Sequence, residues 1–245
     1  MNWKALENEL ARWREAGRSP DFWWRDDDAG RATPELESLL GLQKRAGIPL
    51  ALAVVPANAE RALLAGLADG VGVIQHGTDH VNRAAAGEKK TEFPAAEYPA
   101  EALARLTAGR KSLEEKAGKR FVAMLAPPWN RLPERLVPLL APAFKGLSRF
   151  GPRKHAAGEL RQVNTHVDII AWQGNRGFVG EQAALQATVR HLEGRRTGAV
   201  DAAEPTGLLT HHACHDEEAW RFLERLFETT RTAGARWRAT VELFT

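Results

Sequence analysis

The sequence predicts an α/β fold, a distorted (β/α) barrel of about seven parallel strands, closed or incomplete, in one domain over residues 1–245. Two observations favour this class. Short apolar runs alternate with amphipathic segments, which is typical of parallel strands joined by helical crossovers. No change in composition and no Pro/Ser-rich linker divides the 245 residues, a length that one large α/β domain can fill. About seven strands in one unit favour closure toward a barrel over two independent domains.

Local signals predict the elements in order. The first helix, over about 2–16, has apolar residues at three- and four-residue steps. Thr33 before Pro34 is an N-cap with proline in the first turn, so a second helix is expected over 35–46. Further helices are expected at 58–68, 97–116, 133–140, 181–192 and 217–233. Strands are expected at 22–25, 50–55, 71–74, 121–125, 146–150, 167–171 and 207–210.

Composition restricts the function classes. Hydrophobic residues at 44% and charged residues at 27% are typical of a globular protein. The net charge is +3, but basic and acidic residues are interleaved, so we expect no nucleic-acid partner. No run approaches the roughly 20 apolar residues of a membrane span, and the N-terminus lacks signal-peptide features, so we expect a cytoplasmic protein without a membrane partner. The pattern carries no signal for an oligomeric state.

Polar residues follow most of the predicted strands. In parallel barrels the chemistry lies on the loops after the C-terminal ends of the strands. The residues at these positions are, in chain order, Asp26, Asp27, Asp28, Pro56, Asn58, His76, His80, Pro127, Pro128, Trp129, Asn130, His211 and His212. The sequence therefore predicts one polar rim.

Carboxylates and imidazoles on this rim predict a metal or acid–base site. The consecutive carboxylates of Asp26, Asp27 and Asp28 repel one another unless a cation or a proton lies among them. His76 and His80 are four residues apart, a spacing that presents both rings to one point if the segment is helical. Two imidazoles and a carboxylate suit a divalent metal with an open position, zinc first, with cobalt and nickel as alternatives.

With these motifs in this order, the chain resembles the polysaccharide deacetylases, metal-dependent esterases that remove N- or O-acetyl groups from sugars on a distorted (β/α) barrel. The resemblance runs from Asp26 to about Trp220. The first motif of that family is an Asp pair, a general base followed by a metal ligand. The resemblance implies Asp27 as base and Asp28 as ligand, because a small residue then follows the pair. The alternative register makes Asp26 the base and Asp27 the ligand.

The second motif of the family is a histidine, a Ser or Thr, two residues and a histidine. His76 and His80 match it, although Gly77 replaces the hydroxyl residue. This departure removes a side-chain hydrogen bond from the loop, and the neighbouring Thr78 is the candidate to supply it. The implied metal ligands are Asp28, His76 and His80.

The third and fourth motifs depart further. Ala126 replaces an Arg before the prolines, and Ala171 replaces an Asp before Trp172. The resemblance implies that the two missing residues would pair, so their joint loss avoids a stranded buried charge. Arg25 and Arg131 are the candidates to orient the base instead.

The fifth motif implies a histidine that protonates the leaving group. His211 is the expected acid and His212 the alternative, since alternation along a strand lets only one of them face the site. Trp129 and Trp172, with Pro128 in the third motif, are the expected substrate-binding residues. The long loop at 83–96 is expected to be solvated, with Glu92 and Phe93 as the first residues to test there.

The expected function is metal-dependent removal of an acetyl group from an N- or O-acetylated sugar, either a small molecule or an oligosaccharide. Asp27 would take a proton from water, and His211 would donate one to the departing group. Two alternatives remain open. One is a metal hydrolase that cleaves another C–N bond on the same barrel, and the other is a non-catalytic carbohydrate-binding relative.

Overall fold

A curled parallel sheet wrapped by helices forms the molecule in the computed structural model, which describes residues 1–153 and 160–244. The strands are β1 (Asp21–Ala29), β2 (Leu50–Val54), β3 (Val71–His76), β4 (Phe121–Ala126), β5 (Gly146–Leu147), β6 (Arg161–Gln162), β7 (Val167–Asp168), β8 (Thr206–Thr210) and β9 (Arg236–Trp237). The helices are α1 (Trp3–Glu15), α2 (Pro34–Ala46), α3 (Arg61–Ala65), α4 (Pro99–Ala117), α5 (Glu181–Thr197) and α6 (Glu217–Thr232).

The strand order is β6-β5-β4-β3-β2-β1-β8-β7, with β9 beside the start of β1, and the pairings are parallel. The segment 161–168 joins the two edges. Its Thr165 N–H donates to the Arg149 carbonyl at 2.9 Å, and the next residue, His166, donates to the Gly207 carbonyl at 2.7 Å. Regular strand pairing is incomplete along this segment, residues 161–168, which we call the seam. The predicted distorted (β/α) barrel is confirmed.

Alternation along β1 separates two layers. Trp24 belongs to the cluster beneath the helices, which also contains Leu52 of β2. Trp23 points to the opposite side, against the small residues Ala51 and Ala53. Because side chains two apart share a face of a strand, Arg25 and Asp27 lie on the side of Trp23, inside the barrel. Small residues on β2 leave room for these large and charged side chains.

Several predicted bounds were wrong. β1 continues through the aspartates, which lie within the strand rather than after it. The predicted helix at 58–68 is α3 alone, because the chain after β2 begins with a 3-10 helix at Pro56–Asn58. The segment predicted as a helix at 133–140 is a 3-10 helix that contains Pro138, whose ring lacks the N–H of an α-helical ladder.

The second half of the sheet is shorter than predicted. The strands expected at 146–150 and 167–171 are reduced to the two-residue strands β5 and β7, because the chain changes partners at the seam. β6 and β9 had not been predicted. Among the described residues, no helix has the length and apolar character needed to cross a membrane.

Candidate metal centre and active site

Asp28 is turned out of the regular alternation of β1. The register of β1 against β2 shifts between Asp26 and Ala29, and Asp28 has a φ of 72°. Such a bulge redirects a side chain. The Asp28 Oδ1 lies 3.0 Å from His76 Nε2 and 3.2 Å from His80 Nε2. The structure therefore brings together the three residues that the sequence predicts as metal ligands, with one ligand atom of each within 4.8 Å of the others.

The two histidines reach Asp28 without a helix. His76 is the last residue of β3, and the loop that follows contains Gly77 at φ 56° and His80 at φ 57°. The helical presentation that the four-residue spacing suggested was wrong. Two left-handed residues turn the chain so that the rings lie with their centroids 5.2 Å apart, on the same side of Asp28.

The ring of His76 has the tautomer that a metal ligand requires. Its Nδ1 lies 2.9 Å from the carbonyl oxygen of Ala126. Because a carbonyl only accepts, Nδ1 carries the hydrogen and the Nε2 lone pair points at Asp28. That lone pair and the carboxylate repel each other unless a cation or a second proton lies between them. One carboxylate and two imidazoles therefore fit a divalent metal with open positions.

The charge of Asp28 agrees with this assignment. Burial raises the pKa of Asp28, but hydrogen bonds from the two imidazoles, which need a proton on Nε2 when no metal is bound, outweigh burial and hold that pKa well below its usual range. Asp28 is thus anionic, as a metal ligand would be. Its side chain is 40% exposed, so the cluster opens to solvent.

Asp27 is held by a buried arginine from its own strand. Arg25 Nε lies 2.9 Å from Asp27 Oδ1, and Arg25 Nη2 donates to Asp27 Oδ2 at 3.0 Å. The guanidinium also donates to Ser148 Oγ and to Asn130 Oδ1, each at 2.7 Å. One hydrogen bond at Oδ2 and one close ionic contact at Oδ1 restrain the carboxylate. Sequence reasoning missed Ser148, which follows a short strand and carries no motif, and gave Asn130 no role although it lies on the predicted rim.

Of the two candidate arginines, only Arg25 reaches the predicted base. Arg131 donates instead to the carbonyl oxygen of Lys90 at 2.7 Å. Ala126 is fully buried at the end of β4, where its carbonyl serves His76. Position 126 therefore offers no cation to the predicted base, and the cation that pairs with Asp27 is Arg25 of β1.

His211 faces Asp27 from the loop after β8. Its Nε2 lies 3.9 Å from Asp27 Oδ2, and its Nδ1 is buried without a hydrogen-bond partner among the described residues. Trp172 meets the His211 ring edge to face at 4.6 Å and donates from Nε1 to Asp168 Oδ2 at 2.8 Å. Burial raises the pKa of Asp168. His211 and Asp27, the expected acid and base, thus lie next to each other.

Asp26 and His212 form a separate, closed pair. Asp26 is fully buried and accepts hydrogen bonds from Thr210 Oγ1 at 2.6 Å and from the His212 backbone at 3.0 Å. Its other oxygen lies 2.5 Å from His212 Nδ1. The alternative assignment needs Asp26 to reach a water molecule, whereas its carboxylate is surrounded by protein donors. The geometry favours Asp27 and His211 for the site.

The three expected substrate-binding residues occupy different surroundings. Trp129, in a left-handed conformation at φ 55°, packs on the His80 ring at 4.5 Å. Trp172 is 42% exposed on the His211 side of the site. Pro128 is buried, with its ring close to Gly77 of the loop after β3. The two tryptophans therefore flank the cluster, while contact of any of the three with substrate stays a prediction.

No known protein-family model matches the sequence, and no curated protein matches it. Solved structures do. A peptidoglycan N-acetylglucosamine deacetylase solved with 4-naphthalen-1-yl-N-oxidanyl-benzamide is 16% identical with a TM-score of 0.60, covering 96% of each chain. A family 4 acetyl xylan esterase from Clostridium thermocellum, in complex with a cobalt ion, is 12% identical with a TM-score of 0.57, covering 91% of this chain and 90% of that one.

A CE4 family pseudoenzyme from Bacillus anthracis is 13% identical with a TM-score of 0.62, covering 93% of this chain and 66% of that one. The similar structures thus include named enzymes and a named pseudoenzyme, so the likeness by itself does not assign an activity. What the likeness establishes is the fold, and this chain has the polysaccharide deacetylase fold.

Proposed function

We propose that this chain is a metal-dependent hydrolase that removes an acetyl group from an N- or O-acetylated sugar. One observation carries the proposal. The three candidate ligand atoms of Asp28, His76 and His80 converge within 4.8 Å, beside a buried Asp27 whose Oδ2 lies 3.9 Å from His211. A metal cluster, a base and an acid on one rim are the groups that hydrolysis of an acetyl ester or amide requires.

The donor set supports a divalent cation, with zinc as the first expectation and cobalt or nickel as alternatives. When bound, such a cation polarises the acetyl carbonyl and lowers the pKa of a bound water. His76 and His80 would bind it through Nε2, and Asp28 through Oδ1. The hydrogen bond from His76 Nδ1 to the Ala126 carbonyl keeps that ring oriented for this task.

Asp27 is the proposed base, and Arg25 is its positioning residue. The Arg25 guanidinium donates to Asp27 Oδ2 and lies 2.9 Å from Asp27 Oδ1 through Nε, so it restrains the orientation in which the base would meet an attacking water. His211 is the proposed acid. Its Nε2 faces the same volume and donates a proton to the departing amine or alcohol.

The proposed partner is a small acetylated sugar or an oligosaccharide. Trp172 offers an exposed aromatic surface beside His211, and Trp129 lies beside His80. Aromatic faces bind the apolar side of a sugar ring and the methyl of an acetyl group. Among the similar structures, one is named for N-acetylglucosamine and one for acetyl xylan, which supports testing both amide and ester substrates.

The test is acetate release by the metal-loaded protein from N-acetylated glucosamine oligomers and from acetylated xylan oligomers. Asp27→Asn is expected to lower kcat by about 100- to 10,000-fold, because the amide cannot take the proton. Asp69→Asn, on a fully exposed side chain, is the matched control and should leave kcat unchanged. Metal content is measured on each sample, so that loss of the base is separated from loss of the metal.

Three results would contradict the proposal. Acetate release that persists in Asp27→Asn removes the base from the account. Sugar binding without acetate release from any substrate supports the second candidate, a non-catalytic carbohydrate-binding protein, which the replacements at Ala126 and Ala171 and the similar pseudoenzyme favour. Ammonia release, assayed separately, would identify a hydrolase of another C–N bond.

A further inference from the structure

The loop that carries both histidines is held from outside by a carboxylate. We define the metal loop as residues 76–80, from His76 through His80. Glu92 comes from the long connection between β3 and α4, and its side chain is 0% exposed. A fully buried carboxylate needs hydrogen-bond donors around it, because an isolated buried charge is costly. The metal loop supplies them.

Three donors of the metal loop converge on Glu92. The Thr78 backbone N–H donates at 2.9 Å to Oε1 and 3.1 Å to Oε2, and the Asp79 backbone N–H donates to Oε1 at 2.8 Å. The Thr78 hydroxyl donates to the same oxygen. These groups lie midway between the two histidines. The carboxylate therefore fixes the part of the loop that determines how His76 and His80 are placed relative to each other.

Gly77 and Glu92 fit together sterically. A Cβ on Gly77 would overlap Oε2 of Glu92 and would lie 2.6 Å from the Pro128 ring. Gly77 also has a φ of 56°, where side chains are disfavoured. A glycine at this position is thus the residue that lets the carboxylate approach the backbone of the loop.

An ion pair with Arg83 restrains Asp79 of the metal loop as well. Arg83 donates to both carboxylate oxygens of Asp79, at 2.8 and 2.6 Å, and its Nη1 lies 3.9 Å from Glu92 Oε1. The cation offsets the proximity of the two carboxylates. Both carboxylate oxygens of Glu92 thus have hydrogen-bond donors. Glu92 takes no part in the chemistry described above.

We propose that Glu92 is a positioning residue of the metal centre, which acts through the metal loop to hold His76 and His80 in the geometry that binds the cation. This inference rests on the proposed metal site and adds to it a residue that touches neither metal nor substrate. Groups that orient metal ligands from outside typically change metal affinity by about 10- to 100-fold when replaced.

The test is Glu92→Gln, with Co²⁺ as the probe. Glutamine keeps the size of the side chain, but its NH₂ group faces a donor where Glu92 presents an acceptor. We expect Co²⁺ to bind about 10- to 100-fold more weakly than to wild type, with a changed visible absorption spectrum. Glu88→Gln is the matched control, since Glu88 is an exposed residue of the same connection, and it should bind Co²⁺ like wild type.

Thr78→Val gives a milder second variant. It removes only the hydroxyl donor and keeps both backbone N–H groups, so we expect Co²⁺ binding to weaken by a few-fold. If Glu92→Gln does not fold, this variant alone decides. The melting temperature of each metal-free variant is measured as well, because a purely structural role would lower that temperature and leave the Co²⁺ affinity of the folded protein unchanged.

The outcomes separate the two proposals. Wild-type affinity and spectrum in Glu92→Gln, or in Thr78→Val where the first variant does not fold, would overturn the role of Glu92 and leave the metal site standing. A wild-type protein that binds no Co²⁺ would reject the metal site, and the inference with it.

Discussion

Two carboxylate–imidazole groups begin on the same strand and differ in almost everything else. The open cluster is Asp28 with His76 and His80, and the closed pair is Asp26 with His212. Contacts between carboxylate and ring are short in both, 3.0 and 3.2 Å in the open cluster and 2.5 Å in the closed pair. Asp28 is 40% exposed, however, whereas the Asp26 side chain is 0% exposed.

The difference shows what separates a structural pair from a candidate metal site. It is the direction of the carboxylate and the number of protein donors around it, rather than the residue types. In the closed pair, protein donors from Thr210 and His212 occupy the Asp26 carboxylate. In the open cluster, two rings converge on one oxygen of Asp28, which leaves room for a cation. The bulge in β1 produces this contrast, because it turns Asp28 away from the direction that strict alternation would give it.

The largest effect is expected from His76→Ala in the open cluster. Four-ligand zinc sites bind with about 10–16 kcal/mol, so the loss of one ligand should cost about 3–4 kcal/mol, roughly 100- to 1000-fold in affinity. Isothermal titration with Zn²⁺ measures it. His191→Ala, a histidine outside the cluster, is the control for loss of an imidazole elsewhere. Zinc affinity within a few-fold of wild type in His76→Ala would show that the open cluster is not a metal site.

Asp26→Asn should affect stability instead. Removal of one partner from a buried ion pair costs about 3–5 kcal/mol, and the retained amide oxygen places this variant near the lower value. Urea denaturation of the metal-free protein measures the free energy of unfolding. Glu224→Gln, which breaks the exposed pair with Arg45, should cost less than about 1 kcal/mol.

The roles of the two groups would be reversed if Asp26→Asn lowered zinc affinity and His76→Ala lowered only the free energy of unfolding. A stable Asp26→Asn protein that has lost zinc binding would assign the metal to the closed pair. Such a result would also revive the register in which Asp26 is part of the site.

The smallest effect is the pH dependence of the closed pair. Burial raises the pKa of Asp26 and lowers that of His212, but their mutual attraction outweighs burial in both. The folded pKa of Asp26 therefore lies below its ordinary 3.8, and that of His212 lies above its ordinary 6.5. The stabilisation from His212 is fully present below pH 6.5 and is lost as pH rises through the folded pKa. The stabilisation from Asp26 is present above pH 3.8 and is lost as pH falls through its folded pKa.

The difference in unfolding free energy between metal-free wild type and Asp26→Asn is thus expected to be largest between about pH 4 and pH 6.5. Above that window it should shrink by at most about 1.4 kcal/mol per pH unit. Urea titrations at five pH values between 4 and 9 measure it. A difference that stays constant over this range would show that the pair is not ionised in the folded protein.

Much of the fold was predictable because the signals are local. The apolar runs of β2 and β3, and the cap of α2 at Thr33, specify their elements within a few residues. The seam at 161–168 was not predictable, since two-residue strands that change partners leave no periodic pattern. The shorter second half of the sheet follows from the same cause.

The residue types of the candidate site could be predicted from the sequence, but the residues that position them could not. His76 and His80 were identified by spacing, although left-handed backbone at Gly77 and His80, rather than a helix, brings them together. Ser148 contacts Arg25 across 123 positions, a distance over which a single sequence carries no pairing signal. Glu92 was singled out for its location, but its hold on the metal loop depends on long-range geometry.

Anomalous diffraction from crystals grown with Zn²⁺ would locate the metal. We expect one zinc per chain, at about 2.0–2.2 Å from Asp28 Oδ1, His76 Nε2 and His80 Nε2. We expect no zinc between Asp26 and His212. Zinc at the closed pair, or an open cluster that stays empty at saturating Zn²⁺, would show that the open cluster is not the metal site.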